Sequence, residues 1–307
     1  MNASLTAHYR AHAPFLRALL YRMMGSASDA DDLVQQTFER TLSASPATDR
    51  PIRPWLVRVA MNLAKDALRA RRRHPYPGSW LPEPVESEED FVTGIEVPGT
   101  EGRYELLETV SFAFLLALEA LTPNQRAVLL LRDALAYDIA ETAEVLGLSA
   151  TNVKVTLHRA RAAMAGYDKS RIPSSSEATR AVLAEFLAAL SAGDSTTLER
   201  LLREDVRVVN DGGGEVFAGR RPVVGRAKAM LFLKKLSARR GLPTWAEIRS
   251  INGGPALVAA FDPGRHANDP RRVVSLLRLD AHGRIAESFW VVAPSKLRPR
   301  VLGVIES

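Results

Sequence analysis

Residues 136–164 read AYDIAETAEVLGLSATNVKVTLHRARAAM: a helix, a tight turn at Gly147 and a second helix. Ile139, Ala140, Ala143 and Leu146 recur at three- and four-residue steps, which puts them on one face of the first helix. Gly147 stops that helix, because the position just past a helix end favours left-handed backbone. Ser149 is placed to cap the next helix with its hydroxyl. Val153, Leu157, Ala160 and Met164 then form a second apolar stripe. Thr151, Asn152, Lys154, His158, Arg159 and Arg161 lie off that stripe. Short polar residues early and bases later suit the recognition helix of a helix-turn-helix, where early residues meet base edges and arginines meet phosphates. An ordinary helical hairpin with a solvated basic face has the same pattern.

A second basic element lies upstream. RPWLVRVAMNLAKDALRARRRH, residues 53–74, buries Leu56, Val59, Ala60, Leu63, Ala67 and Leu68 on one face. Arg58, Asn62, Lys65, Arg69 and Arg72 follow at steps of four and three on the other. Four bases and an asparagine on one face can track a phosphate backbone. They also fit a solvated helix whose terminal cations complement its dipole. Before it, residues 28–42 read SDADDLVQQTFERTL. Ser28 is expected to cap this helix, with Asp29, Asp31 and Asp32 favouring its N-terminus. Leu33, Val34, Thr37, Phe38 and Leu42 face the core or a partner, and Gln35, Gln36 and Glu39 lie outside.

The 307 residues suffice for two or three domains. With no cysteine, disulfides and thiolate metal sites are excluded, which suits a reducing cytoplasm. The start, MNASLTAHYRAHAPF, lacks the basic and apolar segments of a signal peptide. No apolar run is long enough for a bilayer span, so a cytoplasmic protein without a membrane partner is expected. The net charge of +6 is unevenly placed. Residues 1–172 hold 20 Lys and Arg against 21 Asp and Glu, net −1, whereas residues 173–307 hold 21 against 14, net +7. The basic excess therefore lies outside the helix-turn-helix, and DNA binding must rest on local stripes.

The organisation is multidomain. Residues 1–74 read as helical throughout. Residues 75–110, PYPGSWLPEPVESEEDFVTGIEVPGTEGRYELLETV, form an acidic linker rich in Pro and Gly, with a short helix at its end. Helical periodicity returns over 111–169, a short linker covers 170–176, and 177–307 form a third domain. There, Leu183, Phe186, Leu187 and Leu190 mark a helix ended near Gly193, and Thr196 with Glu199 resembles a capping box. The runs VRVVN, IRSI, ALVAAF, RVVSLLRL and RIAESFWVV follow, with turn residues between several of them. Helices first and a mostly antiparallel sheet afterwards indicate an α+β domain.

DADDLVQQTF, PWLVRVAMNLAKDALRARRR and LTPNQRAVLLLRDALAYDIAETAEVLGLSATNVKVTLHRARAAM, in this order, resemble regions 2 and 4 of the extracytoplasmic-function sigma factors of bacterial RNA polymerase. The resemblance covers about residues 8–74 and 111–168. It implies two all-α domains, a region 2 bundle and a region 4 helix-turn-helix. Core RNA polymerase and promoter DNA would be the partners, with no cofactor or metal and no enzymatic activity. Asp29, Asp32, Gln35 and Phe38 would dock on the clamp helices of the β′ subunit. Residues 45–54 would capture a flipped base of the −10 element. Arg58, Asn62, Lys65, Asp66, Arg69 and Arg72 would serve the −10 element. Thr151, Asn152, Lys154, His158, Arg159 and Arg161 would serve the −35 element, and region 4 would also meet the β flap. A 36-residue linker reaches roughly 120 Å when extended, against roughly 70 Å for two DNA turns.

The third domain resembles the SnoaL-like cone, on the strength of FLAALSAGDSTTLERLLREDVRVVNDGGGEVFAGRRPVVG. Sigma factors with this fused cone share a WLPEP motif in the linker and a DGGG motif in the extension. Here these are Trp80, Leu81, Pro82, Glu83 and Pro84, and Asp211, Gly212, Gly213 and Gly214. An NPDKL-like end appears as APSKL, containing Lys296 and Leu297, and the usual DGGGK is DGGGE. These residues are expected to serve regulation between domains: Trp80, a rigid aromatic in a polar linker, calls for a pocket, and the cone is expected to dock on regions 2 and 4 or on the linker. A separate anti-sigma factor would then be unnecessary. A small-molecule ligand in the cone stays open. Asp211 is the nearest candidate for a catalytic base, although DGGG also reads as a hairpin turn, and His266 and His282 sit in turn-like stretches. Two rival readings are a one-component helix-turn-helix regulator with a ligand-binding cone and a SnoaL-like isomerase or cyclase fused to helices.

Overall fold

The structure, a computed structural model, describes residues 3–44, 51–74, 76–95, 103–105, 108–170, 176–264 and 267–297. The chain divides into two compact units, one of residues 1–75 with 87–170 and one of residues 76–86 with 171–307.

The first unit is helical. α1 (Ala3–Met24), α2 (Ala27–Ala44) and α3 (Ile52–Arg71) pack on one another, and the short α4 (Asp90–Thr93) packs on α1. α2 starts two residues earlier than a Ser28 cap would place it, so its cap is Ser26 and not Ser28: the Asp29 amide donates to Ser26 Oγ at 3.2 Å. Leu33, Val34, Thr37 and Phe38 face inward as the spacing requires, whereas Leu42 is exposed. Region 4 follows as α5 (Phe112–Ala117), α6 (Pro123–Leu129), α7 (Ile139–Leu146) and α8 (Ala150–Ser170), with a π turn from Leu130 to Ala134 after α6. Capping boxes start α6 (Thr122 with Gln125) and α7 (Asp138 with Glu141). Gly147 takes the left-handed conformation at φ 64°, and Ser149 Oγ accepts from the Asn152 amide at 3.2 Å, as expected. Val153, Leu157, Ala160 and Met164 are all buried. Burying a leucine or valine stabilises a fold by about 1.5–3 kcal/mol, so this stripe fixes which face of α8 is free. On α7 the buried positions are Thr142, Val145 and Leu146, while Ala140 is exposed. A two-turn helix leaves the apolar pattern ambiguous by one position.

Three arginines tie this unit together. Arg22 on α1 is fully buried and donates to Thr109 Oγ1 at 2.8 Å and to the Phe91 and Val92 carbonyls at 3.0 and 3.3 Å. Arg126 on α6 donates to the Met23 carbonyl at 2.9 Å and to Glu119 at 2.7 Å. Arg71 on α3 donates to the Met24 carbonyl at 2.9 Å and to the same Glu119 oxygen at 2.7 Å. Part of the linker is thus packed structure: Phe91, Val92 and Ile95 are buried with this unit, and Arg22 binds two of their carbonyls.

The second unit is α+β. α9 (Ser176–Ala192) ends at Gly193, and α10 (Ser195–Leu201) is capped by Asp194, which accepts from the Thr197 amide at 3.0 Å. The Thr196–Glu199 pair expected from sequence does not provide that cap. β1 (Leu202–Asp211), β2 (Val223–Val224), α11 (Arg226–Arg240), β3 (Trp245–Ile251), β4 (Gly254–Ala260), β5 (Arg272–Leu279) and β6 (Ile285–Val291) complete it. The sheet order is β2-β1-β6-β5-β4-β3. All neighbours are antiparallel except β1 and β6, which are parallel. β2 is too short to leave a period in the sequence. Phe186, Leu198, Leu233, Val208, Val273 and Trp290 share one core, so α9, α10 and α11 cover one face of the sheet. Helical segments followed by an α+β domain are thus the architecture of this chain.

Candidate nucleic-acid interface and linker anchor

The two stripes expected to face DNA are only partly open. On α8, Thr151, Asn152, Lys154, His158 and Arg159 are exposed along the side opposite the buried stripe. Arg161 is held instead by Asp133, with Nε and Nη2 donating at 2.8 and 2.6 Å to a carboxylate that is 2% exposed. On α3, Arg58, Asp66 and Arg69 are exposed, and Asn62 is half-buried. Lys65 departs from the expected open face and is buried. Desolvation lowers its pKa, Arg69 adds to that, and Asp66 opposes it. Arg72 donates to the Leu121 carbonyl, which turns it toward region 4. α3 packs against α6 and α7, and Arg58 reaches the Gly147 turn of the helix-turn-helix. Both stripes therefore sit in one closed body.

On α2, Asp32 and Gln35 are exposed and Asp29 is half-buried. Phe38 is buried, with its ring 4.9 Å from that of Tyr9. Residues 45–50 of the loop expected to capture a base, and His266, lie outside the described residues. His282 is exposed in the turn between β5 and β6.

The motifs expected to regulate, far apart in sequence, meet in the second unit. Asp211 ends β1 with no exposed surface. Its Oδ1 accepts from Tyr76 Oη at 2.6 Å and from the Gly213 amide at 3.0 Å. Its Oδ2 accepts from the Leu81 amide at 2.7 Å and from Lys296 Nζ at 2.7 Å. Lys296 also donates to the Leu81 carbonyl at 2.6 Å, and its ammonium lies 4.6 Å from the Tyr76 ring centre and 4.8 Å from that of Trp80. Leu81, Pro82, Glu83, Pro84 and Leu297 are buried. Burial, and then the bond to Asp211, push the Tyr76 phenol pKa upward, so it stays a donor.

The glycines admit the linker. A side chain at Gly213 would meet Glu215 Oε1 at 2.7 Å and Tyr76 Oη at 3.3 Å. One at Gly214 would meet Pro77 at 3.0 Å, and both glycines have positive φ. Gly212 is similarly crowded by Ala218 at 2.7 Å. DGGG thus forms a landing site for Tyr76 and Pro77, a stronger demand than a turn makes. The departure to DGGGE has a partner as well, since Glu215 accepts from the Ser295 amide at 3.1 Å within APSKL. Farther along, Val85 and Asn252 exchange two hydrogen bonds of 2.9 and 3.1 Å, and Arg249 pairs with Glu86 at 2.9 Å. Tyr76 and Asn252 were not singled out from sequence. An aromatic two residues past a helical segment and an asparagine in a hairpin turn have bland explanations until their partners are known.

A basic helix and then a helix-turn-helix, followed by an α+β domain that holds part of their linker, fit a promoter-reading transcription protein with a fused domain. The Sigma-70 region 2 family matches residues 8–74, and the Sigma-70 region 4 family matches residues 111–164. The ECF RNA polymerase sigma factor SigJ of Mycobacterium tuberculosis is 33% identical over 262 residues, 84% of this chain and 82% of that one. Its crystal structure aligns over 95% of this chain and 98% of its own, with TM-score 0.72 and 28% identity. The sigma factor RpoE of Bartonella quintana, solved in complex with the anti-sigma factor NepR, covers 56% of this chain and 100% of its own at 21% identity and TM-score 0.39. The chain belongs to the extracytoplasmic-function RNA polymerase sigma factors.

Proposed function

We propose that this sigma factor directs core RNA polymerase to promoters with −35 and −10 elements, and that its first unit is a closed state which the polymerase opens. The clasp of Arg71, Arg126 and Glu119 carries this reading, because it joins α3 to region 4. A body of about 160 residues has a radius of gyration of roughly 15 Å, too small to bridge two DNA turns at roughly 70 Å. Simultaneous contact with both elements therefore requires α3 and α8 to separate. Asp29, Asp32 and Gln35 would meet the β′ clamp helices, and region 4 the β flap. Phe38 would take part only if Tyr9 moved off it.

The C-terminal domain acts on the tether. While Asp211 and Lys296 hold residues 76–86, linker residues 87–110 remain to span the gap, at most roughly 80 Å when extended. Holding the WLPEP segment thus shortens the reach of region 4 from region 2, and releasing it favours the open arrangement. A ligand or partner shifts this balance only through unequal affinity for the two states.

Sigma factors are not enzymes, and we read the cone as non-catalytic too. Asp211, the nearest candidate base, already accepts four hydrogen bonds and is shut from solvent. A general base needs access to its substrate proton. A fused regulator does not exclude a second one in trans, and RpoE was solved with an anti-sigma factor. The expectation that none is needed is therefore dropped. Promoter reading places the protein in the bacterial cytoplasm. Among the described residues no helix is long and apolar enough to cross a membrane.

Transcription in vitro with purified core polymerase tests the reading. Discrete transcripts whose start sites share two upstream elements are expected. Tight binding to duplex DNA without polymerase, and no transcript with it, would favour the one-component regulator.

A further inference from the structure

The second unit contains an apolar pocket of about 580 Å³, its open mouth included, between α9, α11 and the sheet. Leu190, Leu233, Leu257, Val273, Ser275 and Trp290 are among its walls. One feature of the wall has no use within the fold. Ser275 is 1% exposed, and among the described residues its hydroxyl has no hydrogen-bond partner. It projects from the pocket face of β5, in register with Leu257 on one side and Trp290 on the other, both of which line the cavity. A hydroxyl left buried and unpaired loses the hydrogen bonds it made to water and gains none in return.

The remaining chemistry narrows what could meet that hydroxyl. Among the described lining residues there is no carboxylate and no imidazole. The indole N–H of Trp290 already donates to Ser288 at 2.6 Å. The one cation, Arg240, is turned toward Asp269, although its Nη1 makes no hydrogen bond among the described residues. It donates to the Pro270 carbonyl, lies over the Phe261 ring at 5.0 Å, and stands 3.7 Å from the buried Asp269. A carboxylate ligand would therefore enter an apolar cavity whose one cation already faces the buried Asp269, at a high desolvation cost. An uncharged ligand with one acceptor avoids that cost.

We propose that this pocket binds a compact, uncharged, largely apolar molecule whose single carbonyl or ether oxygen accepts a hydrogen bond from Ser275. The site adjoins the linker anchor, since Trp290 is the register partner of Asn210, next to Asp211. The binding claim does not depend on promoter activity and can fail or hold without it.

Three naphthalene probes test it by calorimetric titration of the full chain: 2-acetylnaphthalene, 2-ethylnaphthalene and 2-naphthoate. The ketone should bind at least fivefold more tightly than the ethyl compound, and the carboxylate more weakly than either. Ser275→Ala should bring the ketone within twofold of the ethyl compound while leaving ethyl binding unchanged. Because the hydroxyl has no partner in the fold, this variant should melt no lower than the wild type. Ala259→Phe, which fills the cavity, should abolish binding of both. Failure of the wild type to bind the ketone overturns the proposal. So does a ketone preference that survives Ser275→Ala, tighter binding of the carboxylate, or a Ser275→Ala variant that is destabilised.

Discussion

Two arginines on α8, two positions apart, have different tasks. Arg159 is exposed, whereas Arg161 neutralises the buried carboxylate of Asp133. Arg159→Ala should weaken binding to a −35 element in the polymerase complex and lower the salt slope by about one, as the loss of one phosphate contact does. An unchanged slope would assign Arg159 to the protein surface. Arg161→Ala should instead leave the slope unchanged and destabilise the chain by about 1–3 kcal/mol in urea titration, because Asp133 loses its donor. Arg161 is itself well exposed, so the lower end of that range applies. The apolar stripe of α8 was legible because its period alone fixes which residues are buried. The fate of Arg161 was not, since its partner lies 28 residues away on another element. Lys65 teaches the same lesson: helical spacing put it in line with Arg58 and Arg69, but neighbouring elements cover it.

At the scale of elements, the structure depends on two contact sets between segments distant in sequence. The first is the clasp on Glu119. Its burial alone would raise the carboxyl pKa, but Arg126 and then Arg71 outweigh that and hold it below the usual value. A depressed carboxyl pKa contributes stability that is present above the unfolded value of about 4.3 and lost as pH falls through the folded value. Glu119→Gln should therefore reduce the loss of urea resistance that the wild type shows between about pH 5 and pH 3. An identical pH profile for the two proteins would remove the clasp from the account. The second set is the anchor around Asp211. Asp211→Asn weakens its bonds to Lys296, Leu81 and Tyr76, and Trp80→Ala removes an aromatic face beneath the Lys296 ammonium. Both should expose residues 76–86 to amide exchange and raise transcription with core polymerase several-fold. If exchange rises and transcription does not, holding the linker is not how the cone regulates. The motifs themselves were visible in the sequence. That DGGG is a landing site, and that Tyr76 completes it, required knowing that Pro77 and Tyr76 press against Gly214 and Gly213.

At the scale of the whole molecule, the order of domains could be read from helical and strand periods, and the parallel pairing of β1 with β6 could not. Strand periodicity reports which residues face the core but not which strand lies alongside. The division of the linker was equally hidden. Its composition suggests one polar tether, yet residues 76–86 belong with the C-terminal unit and Phe91, Val92 and Ile95 with the helical one. The central claim is that regions 2 and 4 form a closed body that polymerase opens. The chain has no cysteine, so two can be introduced for fluorescent labels at exposed positions, Arg10→Cys on α1 and Glu144→Cys on α7. Energy transfer between them should be high in the free protein. It should fall on addition of core polymerase to a separation approaching the roughly 70 Å between two DNA turns. Promoter duplex alone should leave it unchanged. Transfer that stays high in the polymerase complex, or that falls with DNA alone, would contradict the account.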